Sequence, residues 1–133
     1  PRDRHNDLRD LMTRRFDKGQ VVTVGPEDTL LTAYKRMRIS DVSQLPVMEG
    51  ERVIGILDES DLLLHVEKDP ARFRDKVYTA MVNRLETLPV TATMADLRAL
   101  FDRNMVAIIM DGPVFLGLLT RTDVLNHLRR QLG

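Results

Sequence analysis

Two aspartates carry the chemistry this sequence can offer. Asp61 and Asp123 each close a seven-residue run, Gly55-Ile56-Leu57-Asp58-Glu59-Ser60-Asp61 and Gly117-Leu118-Leu119-Thr120-Arg121-Thr122-Asp123. Each run reads as glycine, two aliphatics, a short polar residue, two spacers and an aspartate, and each leads into apolar residues, Leu62-Leu63-Leu64 or Val124-Leu125. The separations from 55 to 117 and from 61 to 123 are both 62 positions, so one supersecondary unit occurs twice. Each copy places a carboxylate where a strand gives way to a helix. A carboxylate there can accept two hydrogen bonds from the vicinal hydroxyls of a sugar, and such charge-assisted bonds are stronger than neutral ones. The free N–H groups of a helix start add donors. Gly55 and Gly117 carry no Cβ, which leaves a flat ring room to approach the strand backbone.

The same residues have a plainer reading. Thr120-x-x-Asp123 has the form of a capping box, in which both side chains satisfy helix-start donors and bind nothing. In the first copy Asp58 stands where the second has Thr120, so two carboxylates three residues apart would repel a phosphate. The first-half site is then either empty or suited to a ligand without phosphate. No Lys or Arg in either motif faces a cleft by position, and Arg121, at a spacer position, is expected to be solvated.

The elements that must position these residues follow one order in both halves. Gln20-Val21-Val22-Thr23-Val24 is β-rich and is stopped by Gly25-Pro26. Asp28 or Thr29 then caps a helix whose stripe is Leu30, Ala33, Tyr34 and Met37. Strands Leu45–Met48 and Arg52–Leu57 flank a hairpin turn at Glu49-Gly50-Glu51, and a helix runs from about Ser60 to Glu67. In the second half Leu85–Val90 is the opening strand, Thr93 caps a helix with Met94, Leu97 and Phe101 on one face, Met105–Met110 and Val114–Leu119 pair around Asp111-Gly112-Pro113, and Thr122–Leu132 closes with a helix. Asp69-Pro70 breaks the chain between halves, and a connecting helix is expected over about 72–82. The pattern is β-α-β-β-α, twice.

This order, with its doubled motif, resembles the CBS domain pair, or Bateman module, over about Leu11 to Leu128. Ser43-Gln44-Leu45-Pro46-Val47 and Gly117 to Asn126 look most like the C-terminal regulatory region of a cystathionine β-synthase. The resemblance implies an α/β (α+β) fold: one module over 1–133 made of pseudo-twofold repeats at about 11–68 and 77–130, packed sheet to sheet with helices outside. It also implies clefts lined by residues of both halves. The lead site is Asp123, Thr120, Thr122 and Leu118 with Val22, Val42, Ser43 and Gln44, where Leu118, Thr122, Val42 and Val22 form an apolar slot for adenine. The second, pseudosymmetric site is Asp61 and Asp58 with Met105, Val106 and Ala107.

The ligand so implied is an adenosyl compound. S-adenosylmethionine comes ahead of AMP and ATP, because its sulfonium tolerates Asp58 and Asp61 whereas a phosphate wants a cation. Regulated relatives can place an aromatic and an acid just before the Gln, where this chain has Val42 and Ser43; lost stacking there is worth on the order of 1 kcal/mol. The expected role is control of a pyridoxal-phosphate-dependent cystathionine β-synthase-like lyase domain of cysteine biosynthesis, with that cofactor only in the missing domain. Two alternatives stand beside it, a ligand-free homodimerisation module built on Leu62-Leu63-Leu64 and Val124-Leu125, and a nucleotide-sensing pair from another enzyme or a transporter.

Composition excludes several other classes. Lys+Arg and Asp+Glu balance at 20 each, which gives no electrostatic reason to expect nucleic acid or an anionic membrane. The chain has no Cys, so disulfides and thiolate metal sites are out and a reducing, cytoplasmic setting is expected. No apolar run approaches the roughly 20 residues that span a bilayer. His5, His65 and His127 are scattered and read as surface or interface residues, the methionines as core filler, and Arg14-Arg15 and Arg129-Arg130 as solvated faces. No Ser, Thr or Lys has a partnered base and no glycine-rich phosphate loop occurs, so the chain is not expected to be catalytic by itself. The start at Pro1, without Met, leads us to expect a piece of a longer protein.

Overall fold

The computed structural model describes residues 6–133, and His5 lies outside the described residues. The chain divides into two compact units, Val22–Leu85 and the segment up to Val21 together with Glu86–Gly133. The fold is α/β, with four α-helices and two small sheets among the described residues.

In the unit Val22–Leu85, helix α1 (Leu30–Ser40) starts at Thr29, whose hydroxyl accepts the Thr32 N–H at 3.1 Å. Thr29, not Asp28, is therefore the cap; the Asp28 carboxylate instead accepts the Gly25 N–H at 2.8 Å. The helix buries Leu30, Ala33 and Met37, three residues of its expected stripe, while Tyr34 packs half-buried at 5.8 Å from the Phe73 ring. Asp41 ends it in the left-handed region and turns the chain into β1 (Gln44–Glu49), which pairs antiparallel with β2 (Arg52–Asp58). Gly50, at φ 63°, makes the turn between them. Helix α2 (Glu59–Val66) follows β2 without a gap and buries Leu62 and Val66 against Leu30, Leu45, Leu57 and Val77.

Two expectations fail here for identifiable reasons. The stretch Gln20–Val24 is not a strand: only Val24 pairs, donating to the Pro46 carbonyl and accepting from the Met48 N–H. Gln20 is spent on a local turn, where its N–H reaches the Arg15 carbonyl and its side chain accepts the Arg15 N–H. The connecting helix over 72–82 is replaced by two short 3-10 turns, Pro70–Arg74 and Val77–Thr79. The backbone between them is committed elsewhere, since the Asp75 carbonyl accepts the Leu30 N–H and the Val77 N–H donates to Asp28. Those bonds hold residues 75–76 extended and leave them unable to continue a helix.

The other unit is a three-stranded sheet in the order β3-β4-β5. Strand β3 (Thr87–Pro89) lies parallel to β4 (Ala107–Asp111), and β4 pairs antiparallel with β5 (Val114–Leu119). Helix α3 (Met94–Asp102) is capped by a reciprocal Thr93–Asp96 box and buries Leu97 and Leu100. Met94 was expected on that face but is 41% exposed, because it is the first residue of the helix and the buried stripe starts one turn later. Helix α4 (Arg121–Gln131) closes the unit and buries Val124. The segment before Val21 completes this core rather than that of the residues following it: Leu8 donates its N–H to the Val90 carbonyl, Leu8 and Leu11 are buried, and Phe16 stacks 5.2 Å from Phe115.

Candidate functional site

Asp123 is the third residue of α4, and Thr120 is its cap. Strand β5 runs straight into this helix, so the helix-start donors are presented at the sheet's edge. Asp123 Oδ2 accepts both the Thr120 N–H (2.9 Å) and the Thr120 hydroxyl (3.0 Å). Oδ1 accepts the hydroxyl of Thr13 at 2.9 Å. The capping-box reading of Thr120-x-x-Asp123 is thus realised. A carboxylate offers about four lone-pair positions, and three are engaged within this unit. A ligand diol that takes two bonds must therefore displace a hydroxyl, and Thr13, on an exposed segment, is the partner free to turn away. Leu118 is half-buried on β5 and Thr122 is exposed on the first turn of α4. Met105 and Val106 are half-buried on the approach to β4, and Ala107 lies opposite Leu119 in the hairpin register. Ala107 is wholly buried in the core, so it can offer a ligand only backbone.

The unit Val22–Leu85 repeats the junction with different chemistry. Asp58 caps α2 and Asp61 is its third residue, each side chain bonded to the other's backbone N–H (2.9 and 3.3 Å). Burial, with the neighbouring Asp58 charge, pushes the Asp61 carboxyl above its ordinary range. The expected like-charge pair is present. Gln44 lies opposite Asp58 across the hairpin, and the Ser43 carbonyl accepts the Glu59 N–H at 2.9 Å, so Ser43 and Gln44 adjoin this acidic helix start. Val22 and Val42 are half-buried against the core of the same unit.

The opening expected over each glycine is filled by the chain itself. A Cβ on Gly117 would lie 2.9 Å from Met12 Cε and 3.1 Å from the Arg14 carbonyl; one on Gly55 would lie 2.7 Å from Met81 Sδ and 3.1 Å from the Val82 carbonyl. Val82 pairs with Ile56 through bonds of 2.8 and 2.9 Å, adding one rung to the β1–β2 hairpin. The glycines thus admit a covering peptide where a ring was expected. Sequence reasoning missed these covering residues, although Met12-Thr13 and Met81-Val82, each shortly before a half's opening β-rich stretch, were a readable signal. They also distinguish the halves, since the hydroxyl that Thr13 brings to Asp123 has no counterpart in Val82.

Other expectations are corrected or placed. Arg121 is exposed but not simply solvated; its guanidinium donates to the Phe101 carbonyl and to Asn104 Oδ1 and sits 5.8 Å from the Phe101 ring centroid. Arg15 is paired with Asp17 at 2.7 Å, which holds that carboxyl below its ordinary range. His65 contacts Asp75 at 2.8 Å. Among the described residues no group of three or more His, Asp or Glu could hold a metal, and no helix is long and apolar enough to cross a membrane.

Residues 8–68 and 76–130 each match the family model of the CBS domain. Inosine-5'-monophosphate dehydrogenase of Halobacterium salinarum is 31% identical over 122 residues, 89% of this chain and 23% of the relative. Cystathionine beta-synthase of Dictyostelium discoideum is 25% identical over 115 residues, 82% of this chain and 23% of the relative. The chain thus spans about a quarter of the curated relatives it matches. Among solved structures, CBSX2 in complex with AMP superposes with a TM-score of 0.79 at 18% identity, covering 96% of this chain and 98% of that one.

Proposed function

Since the chain belongs to the CBS domain family, we propose that it is a regulatory module that binds an adenosyl metabolite at its helix starts and itself catalyses nothing. The observation that carries this reading is the Asp123 junction, where a carboxylate in the first turn of α4 is flanked by two hydroxyls and by free helix-start donors. The AMP in the structure of CBSX2 supports the adenosyl class. S-adenosylmethionine is ranked first because Asp58 and Asp61 put negative charge at the matching junction, which suits a sulfonium and opposes a phosphate. Control then follows from differential affinity: a ligand that binds one conformation more tightly shifts the population toward it, and a domain elsewhere in the same protein reads the shift. The parent we favour is a pyridoxal-phosphate-dependent cystathionine β-synthase, a lyase; the 31% identity to an inosine-5'-monophosphate dehydrogenase makes that enzyme class the rival parent.

A second reading has its own observation. On α2 Leu63 and Leu64 are 60% exposed, and on α4 Leu125 is 65% exposed, which leaves apolar helix surface for a homodimer. Thermal melting separates the two. A melting temperature that climbs with S-adenosylmethionine, AMP or ATP supports sensing, and one that climbs only with protein concentration supports assembly and refutes sensing.

A further inference from the structure

Arg121 is the first residue of α4, between the cap Thr120 and Asp123. Its guanidinium reaches the Phe101 carbonyl in the last turn of α3, where the helix dipole favours a cation. It also reaches Asn104 Oδ1 at 3.4 Å and faces the Phe101 ring. Asn104, at φ 58°, turns the chain into Met105, Val106 and Ala107. One side chain therefore ties the helix start that carries Asp123 to the loop that carries Met105 and Val106. In the unit Val22–Leu85 the matching junction is made by backbone, where Glu59, in the place of Arg121, donates its N–H to Ser43. A backbone bond between two sheet-anchored elements is hard to release, whereas an exposed guanidinium clasp can open and close.

We propose that Arg121 is a positioning residue that sets the Thr120–Asp123 helix start against the 104–106 loop, so that a ligand held at Asp123 is felt at Met105 and Val106. The proposal rests on the reading that Asp123 holds an adenosyl ligand, and the test separates the two. Backbone amide resonances are compared for wild type, Arg121→Gln and Arg121→Lys, free and during titration with AMP. In the free protein, Arg121→Gln moves the Met105 and Val106 amides as well as those of Thr120–Asp123; changes confined to residues 120–123 overturn the clasp whether or not AMP binds. With AMP, wild type responds at both places. Arg121→Gln loses the Met105–Val106 response and binds about fivefold more weakly, and Arg121→Lys restores part of it. A purely architectural arginine would lower the melting temperature yet leave the Met105–Val106 response intact, and that result refutes the proposal. Absence of any AMP response in wild type counts against the binding reading alone.

Discussion

Replacing Gly117 by Ala tests whether the chain's own peptide covers that glycine as described. Two terms oppose the substitution. The φ of 143° is one that side chains rarely adopt, and backbone strain of that kind costs about 1–3 kcal/mol. The new Cβ would also sit 3.1 Å from the Arg14 carbonyl, a backbone atom that moves only with its segment, whereas Met12 Cε, at 2.9 Å, is a flexible end that can swing aside. One term favours it, since restricting the unfolded chain recovers about 0.4–1 kcal/mol. The expected net loss is about 2 kcal/mol. Gly55→Ala is the internal control. Its Cβ meets the Val82 carbonyl at the same 3.1 Å and Met81 Sδ at 2.7 Å, the latter on a side chain that can turn aside, but no left-handed φ adds strain, so it should lose about 1 kcal/mol less. Urea unfolding of both variants reads the difference, with an unchanged slope confirming that the native and denatured states are comparable. Gly117→Ala as stable as wild type would refute the covering peptide, and Gly117→Ala more stable than Gly55→Ala would refute the backbone strain assigned to Gly117.

The remaining predictions concern the two carboxylates and the core. Thr13→Val removes the hydroxyl that occupies Asp123 Oδ1, so AMP should bind about two- to tenfold more tightly by calorimetry; weaker binding would mean that Thr13 assists the ligand rather than competing with it. Asp61 is held above its ordinary value of 3.8 in the folded protein, so between that value and its raised one the native state binds more protons than the unfolded state, and its stabilising effect is lost as pH rises through the window. Melting temperatures of wild type minus Asp61→Asn should therefore fall from pH 4 upward, and a difference that rises would contradict the assignment. Leu97→Ala, at a fully buried position, should cost about 2–5 kcal/mol in urea, while Leu125→Ala on exposed α4 stays within about 0.5 kcal/mol.

The helices and hairpins were legible because each is specified locally. Thr29, Thr93, Asp58 and Thr120 stand where caps must stand, and Gly50 makes the first hairpin's turn. What was not legible depends on partners distant in sequence. Gln20–Val24 has β-forming residues, yet a strand needs a neighbour along its length, and only Val24 finds one. Residues 75–77 have no helix breaker, yet their backbone is claimed by Asp28 and Leu30. At the candidate site, the capping geometry of Asp123 could be read from T-x-x-D, but the Thr13 hydroxyl lies 110 positions away and no local pattern announces it. The partners of Arg121 are hidden for the same reason, because they belong to the end of another helix and the turn after it.

On the proposed function, Asp123 holds the two sugar hydroxyls of an adenosyl ligand. Calorimetric titration of AMP and of 2′-deoxy-AMP into wild type and Asp123→Asn addresses it directly, since Asn keeps an acceptor for the cap but loses the charge. Wild type should bind AMP at least about tenfold more tightly than the deoxy compound, and the gap should close in Asp123→Asn. Equal binding of the two nucleotides by wild type, or a gap that survives the substitution, would contradict it.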